Sequence, residues 1–85
     1  MIAARLRAAA YAQARIEVHM GDDELIAVNA LLERLLIANY GANPDLFMLL
    51  ADGDEAMASD MLSGTCLIHA AARRVMRDRN MPEAA

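Results

Sequence analysis

Lysine and tryptophan are missing from this chain, cysteine occurs once and proline twice. The single cysteine, Cys66, excludes an internal disulfide framework, and a reducing compartment is its simplest setting. With Tyr11, Tyr40 and Phe47 as the only aromatics, the core is expected to be aliphatic, built from Leu, Ile, Val and Met. The glycines, Gly21, Gly41, Gly53 and Gly64, are isolated, so no phosphate-cradling loop exists. No stretch approaches the roughly 18–20 uninterrupted apolar residues of a membrane span. Arg5, Arg7, Gln13 and Arg15 break up the N-terminal segment too often for the apolar region of a signal peptide. The expected localisation is cytoplasmic. Arginine without lysine, together with abundant alanine, fits a GC-rich genome and suggests a bacterium or one of its mobile elements.

What is present is a helical pattern. Eighty-five residues suffice for one domain, 1–85, with a frayed tail expected over about 80–85. A chain of this size buries a modest core, so oligomerisation is a natural way to add buried area. Ile2, Leu6, Ala9, Gln13, Ile16 and Met20 recur at three- and four-residue steps, which predicts a first helix ending at Gly21. The alternation over Arg15–Met20 has no second strand to pair with. Asp22, Asp23 and Glu24 suit the positive end of a second helix running to about Tyr40 and stopped by Gly41. Its wide apolar face, Leu25, Val28, Leu31, Leu32, Leu35 and Leu36 flanked by Ile26 and Ile37, makes it the expected centre of the core.

Asn43 as N-cap and Pro44 in first position predict a short helix through Leu46–Leu50. Asp52 and Glu55 have capping-box spacing ahead of a last helix from about Gly53 to Arg79. Its inner stripe is Met57, Met61, Gly64, Ile68, Ala71, Ala72 and Val75, and Asn80 and Pro82 stop it. Gly64 predicts either close packing against a neighbouring helix or a kink. The fold class that follows is all-α: a compact antiparallel bundle of three main helices plus one short one.

Charge is distributed unevenly. Residues 1–16 carry +3, residues 17–60 carry −9 and residues 61–85 carry +2, summing to −4. Helix starts account for most of the acids without any partner. If instead they gather on one side, they form a negative patch that attracts a basic surface and repels nucleic acid.

Chemistry finds little support. Cys66 and His69 are helix neighbours, but a zinc site needs about four ligands, and only His19 remains. A mid-helix cysteine also lacks free N–H groups for an oxyanion site. Acids at helix N-termini hold their protons less tightly, the wrong direction for a general acid. No cofactor, metal or catalytic residue is expected, and the chain reads as no enzyme.

Seven methionines are many for this length, and core filling explains them first. The alternative is an adaptable apolar surface around Met48, Met57 and Met61, edged by Asp52, Asp54, Glu55 and Asp60 and assisted by Asp22, Asp23 and Glu24. The function expected is therefore a protein-binding module, an acidic inhibitor or adaptor of a larger partner with a basic surface. A phage-encoded inhibitor of the anti-CRISPR type is one concrete version, by analogy of size and charge alone. The alternative is a self-associating structural or chaperone-like subunit, a homodimer or small oligomer, motivated by the wide apolar face of the second helix. Neither nucleic acid nor membrane is expected as a direct partner.

Overall fold

The computed structural model describes residues 2–81, with side chains from Arg7 onward apart from Val18. The chain forms α1 (Ile2–His19), α2 (Asp22–Tyr40), α3 (Leu46–Leu50) and α4 (Glu55–Asp78), and the described residues contain no strand. Two clusters set the directions. Leu25, early in α2, packs with Ala71, Ala72, Val75 and Met76 late in α4. Leu35, further along α2, packs on a cluster of Phe47, Ala51 and Ala58, which Met61 and Leu62 of early α4 also join. Thus α2 runs opposite to α4. Ala12 and Ile16 bring α1 to the same late part of α4, and α3 closes the other end through Phe47. The predicted all-α bundle of three long helices and one short one is the observed architecture.

The centre is α4, not α2. The other three helices all pack on it, and the reason is steric. Where α4 meets its neighbours it presents Ala58, Ala71 and Ala72, all buried, and small side chains let helix axes approach closely. Val75 and Met76 fill the remaining space. By contrast α2 buries only Leu25 and Asn29. Its other leucines are too many for the single face it turns to α4. Among the described residues the core is aliphatic apart from Phe47, but alanine supplies much of it: Ala12, Ala51, Ala58, Ala71 and Ala72 are buried, while Leu25 and Val75 are the large side chains enclosed completely. Within the inner stripe expected of α4, Met57 lies outside, 49% exposed, and Ala58 takes the inward place.

Helix ends explain several departures from expectation. The cap of α4 is Asp54, whose carboxylate accepts from Met57 N–H at 3.0 Å. Asp52 cannot serve, because it adopts left-handed backbone (φ 52°) and ends α3 instead. There Asp52 N–H donates to Leu49 O and Gly53 N–H to Met48 O, a Schellman stop. Gly53 (φ 83°) continues this turn. Nor does Asn43 cap α3; it accepts through its backbone from Leu46 N–H, and Pro44 and Asp45 lie in the turn before the helix. At the far end Asn80 (φ 55°) stops α4 as predicted. Asn80 N–H donates to Arg77 O and Met81 N–H to Met76 O, and the Met81 side chain returns to the core beside Met76. Ile2, Leu6 and Pro82, and the tail beyond Met81, lie outside the residues whose side chains are described.

Arg79 ties three helices together. Its guanidinium donates to Asp22 Oδ1 at 2.9 Å, to Met20 O at 3.1 Å and to Glu17 O at 3.5 Å. One side chain just past α4 thus satisfies carbonyls at the end of α1 and meets the first turn of α2.

Two predictions follow from these contacts. A Cβ built on Gly64 meets nothing within 4 Å, so neither close packing nor any other contact requires glycine there. Gly64→Ala should raise stability by about 0.5–1 kcal/mol, read as a higher denaturant midpoint at unchanged slope. Arg79→Ala should cost about 1–2 kcal/mol through the lost carbonyl contacts. A double-mutant cycle with Asp22→Ala should assign less than about 1 kcal/mol to the ion pair, because the Asp22 side chain is 68% exposed.

Candidate functional site

The acidic residues do not form one patch. Asp22, Asp23 and Glu24 open α2, and Asp22 meets Arg79 beyond the C-terminal end of α4. Asp52, Asp54, Glu55 and Asp60 surround the N-terminal end of α4. Between Asp54 and Arg79, the partner of Asp22, lie the 24 residues of α4, about 36 Å at 1.5 Å per residue. All seven are exposed, yet Asp54 is engaged as a cap and Asp22 in the Arg79 contact.

The methionines divide similarly. Met48 and Met61 are half-buried and pack against Phe47, Ala51 and Ala58, so they serve the core. Met57 faces out beside the loop that joins α3 to α4. Two leucines that periodicity assigns to an apolar run are exposed as well: Leu49 is 75% exposed and Leu50 51%. A five-residue helix made wholly of Leu, Phe and Met must leave some of them outside, because five residues turn through more than one full circle. That was the signal available in the sequence for this corner. Residues 45–60 contribute five acids, Asp45, Asp52, Asp54, Glu55 and Asp60, and no lysine or arginine occurs between Arg34 and Arg73. The stretch of chain through α3 and into α4 thus combines exposed apolar side chains with acids and no base.

A second apolar surface lies on α2. Ile26 is 41% exposed, Leu31 57%, Ile37 66% and Tyr40 73%. Ile26, Leu31 and Ile37 lie off the Leu25 side that meets α4, whereas Tyr40 lies toward α4 and borders a groove with Leu62 and Leu67.

Two grooves flank α4. One, of 470 Å³, lies between α1 and α4, with Tyr11, Ile16, Met20 and Ile68 on its walls. The other, of 580 Å³, is bounded by Ala8, Tyr40, Leu62 and Leu67. Cys66 borders the second groove and is exposed, while His69 is half-buried. Among the described residues no three His, Cys, Asp or Glu side chains converge on a common point, and no helix is long and apolar enough to cross a membrane.

Two buried polar atoms lack partners among the described residues: Asn29 Oδ1 and His69 Nε2. Asn29 is 5% exposed and sits on the α4-facing side of α2, one turn beyond Leu25. A buried acceptor without a donor forfeits its hydration and costs about 1–3 kcal/mol.

Comparison with family models, with curated proteins and with solved structures finds no match to this chain.

Asn29→Leu, close in volume and without the orphaned acceptor, should stabilise the fold by about 1 kcal/mol. Thermal and chemical unfolding of the two proteins checks this, and a loss of stability would show that Asn29 has a compensating contact.

Proposed function

We propose that this chain is a non-enzymatic protein-binding module, an adaptor or inhibitor whose α3–α4 corner docks a larger protein. The observation that carries the reading is the exposure of Leu49, Leu50 and Met57 within nine residues of chain, beside Asp52, Asp54 and Glu55. An apolar centre excludes water when covered, and the rim selects the partner and guides its approach. Complementarity requires that partner to bring an apolar socket edged by Arg or Lys. The corner suits docking because its backbone is fixed: the Schellman turn ends α3, and two residues later Asp54 caps α4. Methionine at the centre adapts its shape at little cost. The acids of α2 lie at the opposite end of α4 and have no part in this contact.

The test is affinity capture from source cells with the native chain and with the Leu49→Asp/Met57→Asp variant, both checked for helicity. The variant should lose a protein that the native chain retains. Against that protein once purified, Glu55→Gln/Asp60→Asn should slow association about tenfold at low salt and much less at high salt. Recovery of the same proteins at the same level by the corner variant would refute the reading.

A further inference from the structure

We infer that the groove between α1 and α4 is a binding site for an apolar monoanion, a medium-chain alkyl carboxylate, whose head group meets Arg15 and whose tail lies along Ala12 and Ile68. The site shares no residue with the α3–α4 corner and does not rest on the reading of that corner.

The first observation is shape. The groove encloses 470 Å³, within the roughly 300–1,000 Å³ of small-molecule sites. Ala8, Ala12, Ile16, Met20, Leu67 and Ile68 make its apolar walls. Ala12 and Ala71 belong to one buried cluster, so α1 lies close on α4 and the crease beside their contact is narrow. A single alkyl chain fits such a crease, whereas a helix of about 10–12 Å diameter has to stand off from it.

The second observation is where the charge lies. Successive residues of a helix are about 100° apart, so Tyr11, Arg15 and His19 share one flank of α1 and Glu17 lies about 160° round from Arg15. Gln13 donates to Glu17 at 3.4 Å and to Asp78 at 3.2 Å, which gathers the neighbouring acids on the far flank. Tyr11, Arg15 and His19 border the groove, and among the described residues no carboxylate does. The Arg15 guanidinium carbon stands 6.0 Å from the centroid of the Tyr11 ring, a contact that holds the cation along the lip. Among the described residues Arg15 forms no ion pair. An apolar floor with an uncompensated guanidinium at its edge complements an apolar anion, and a carboxylate matches the two parallel N–H donors of arginine. The second groove, beside Tyr40 and Cys66, has no charged residue on its walls and nothing there selects a ligand.

The third observation sets the length. Ala8 and Leu67 border both grooves and so mark where this one ends. From Arg15 to Ala8 the rise along α1 is about 10 Å. That span takes a medium-chain tail, and a longer chain has to leave the crease.

Two-dimensional NMR of the isotope-labelled full chain, titrated with octanoate, decanoate and dodecanoate to about 1 mM, is the decisive measurement. Decanoate should shift the amides of Ala12, Ile16 and Ile68 saturably and leave those of Leu31, Leu49 and Met57 in place. Each methylene added to octanoate should tighten binding about threefold to fourfold until the crease is full. Decanol should bind about tenfold more weakly than decanoate. Arg15→Gln, a change at an exposed position, should weaken decanoate about tenfold and leave decanol unchanged. Ala8→Phe, also at an exposed position, sets a ring across the end of the crease and should move the best ligand back to octanoate. The inference is overturned if no carboxylate shifts these amides, if decanol binds as tightly as decanoate, or if Arg15→Gln has no effect. Shifts centred on Leu31, or on Leu49 and Met57, also overturn it, as does a groove that accepts an acidic peptide and no alkyl carboxylate. The Leu49→Asp/Met57→Asp variant should bind decanoate as the native chain does, so failure of the corner and failure of this site are read separately.

Discussion

Everything in this fold depends on how closely other helices can approach α4. Its inward positions are small where the neighbours cross, at Ala58, Ala71 and Ala72, so α1, α2 and α3 can all settle on one rod. Close approach increases dispersion contact per residue, but an alanine withdraws little apolar surface from water. A core assembled this way is thin. It draws Leu25, Phe47, Val75 and Met76 inside and leaves larger side chains on α2 and α3 without cover. The exposed leucines and isoleucines are thus the geometric counterpart of an alanine-lined centre, for a single helix of 24 residues cannot cover the whole circumference of its neighbours.

With so little core, the helix ends carry a large share of the specificity. Two Schellman turns, at Asp52–Gly53 and Asn80–Met81, return free N–H groups to the last carbonyls of α3 and α4. Asp54 captures a donor at the start of α4, and Arg79 gathers α1, α2 and α4 at the other end. Some of the negative charge therefore belongs to local structure. That division matters for function: a carboxylate already spent on a cap or on Arg79 contributes less to an outside encounter than Glu55 or Asp60, which have no such tie among the described residues.

Helix number, order and limits were legible in the sequence, because three- and four-residue spacing and the Gly21, Gly41 and Asn80 stops are local signals. Which helix would be central was not. Leu25 to Leu36 looks like a core in one dimension, but burial is decided by what lies opposite, and only the small face of α4 admits neighbours on several sides. The cap of α4 was displaced by two residues for a related reason. Asp52 and Asp54 are equally good caps in isolation, and the choice falls to the left-handed turn that ends α3. Of the candidate site, Met57 and its acids were placed near one another by chain proximity alone. That Asp22, Asp23 and Glu24 sit at the far end of the molecule follows from α2 running antiparallel to α4, a fact about packing that no local pattern contains.

The two surplus surfaces differ in character, and the difference bears on how such a chain could work. The outward side of α2 is mostly apolar, with Arg34 as its charge. The α3–α4 corner is small, fixed and acid-rimmed, suited to a contact in which charge selects the partner. Because they lie on different helices, covering one leaves the other open.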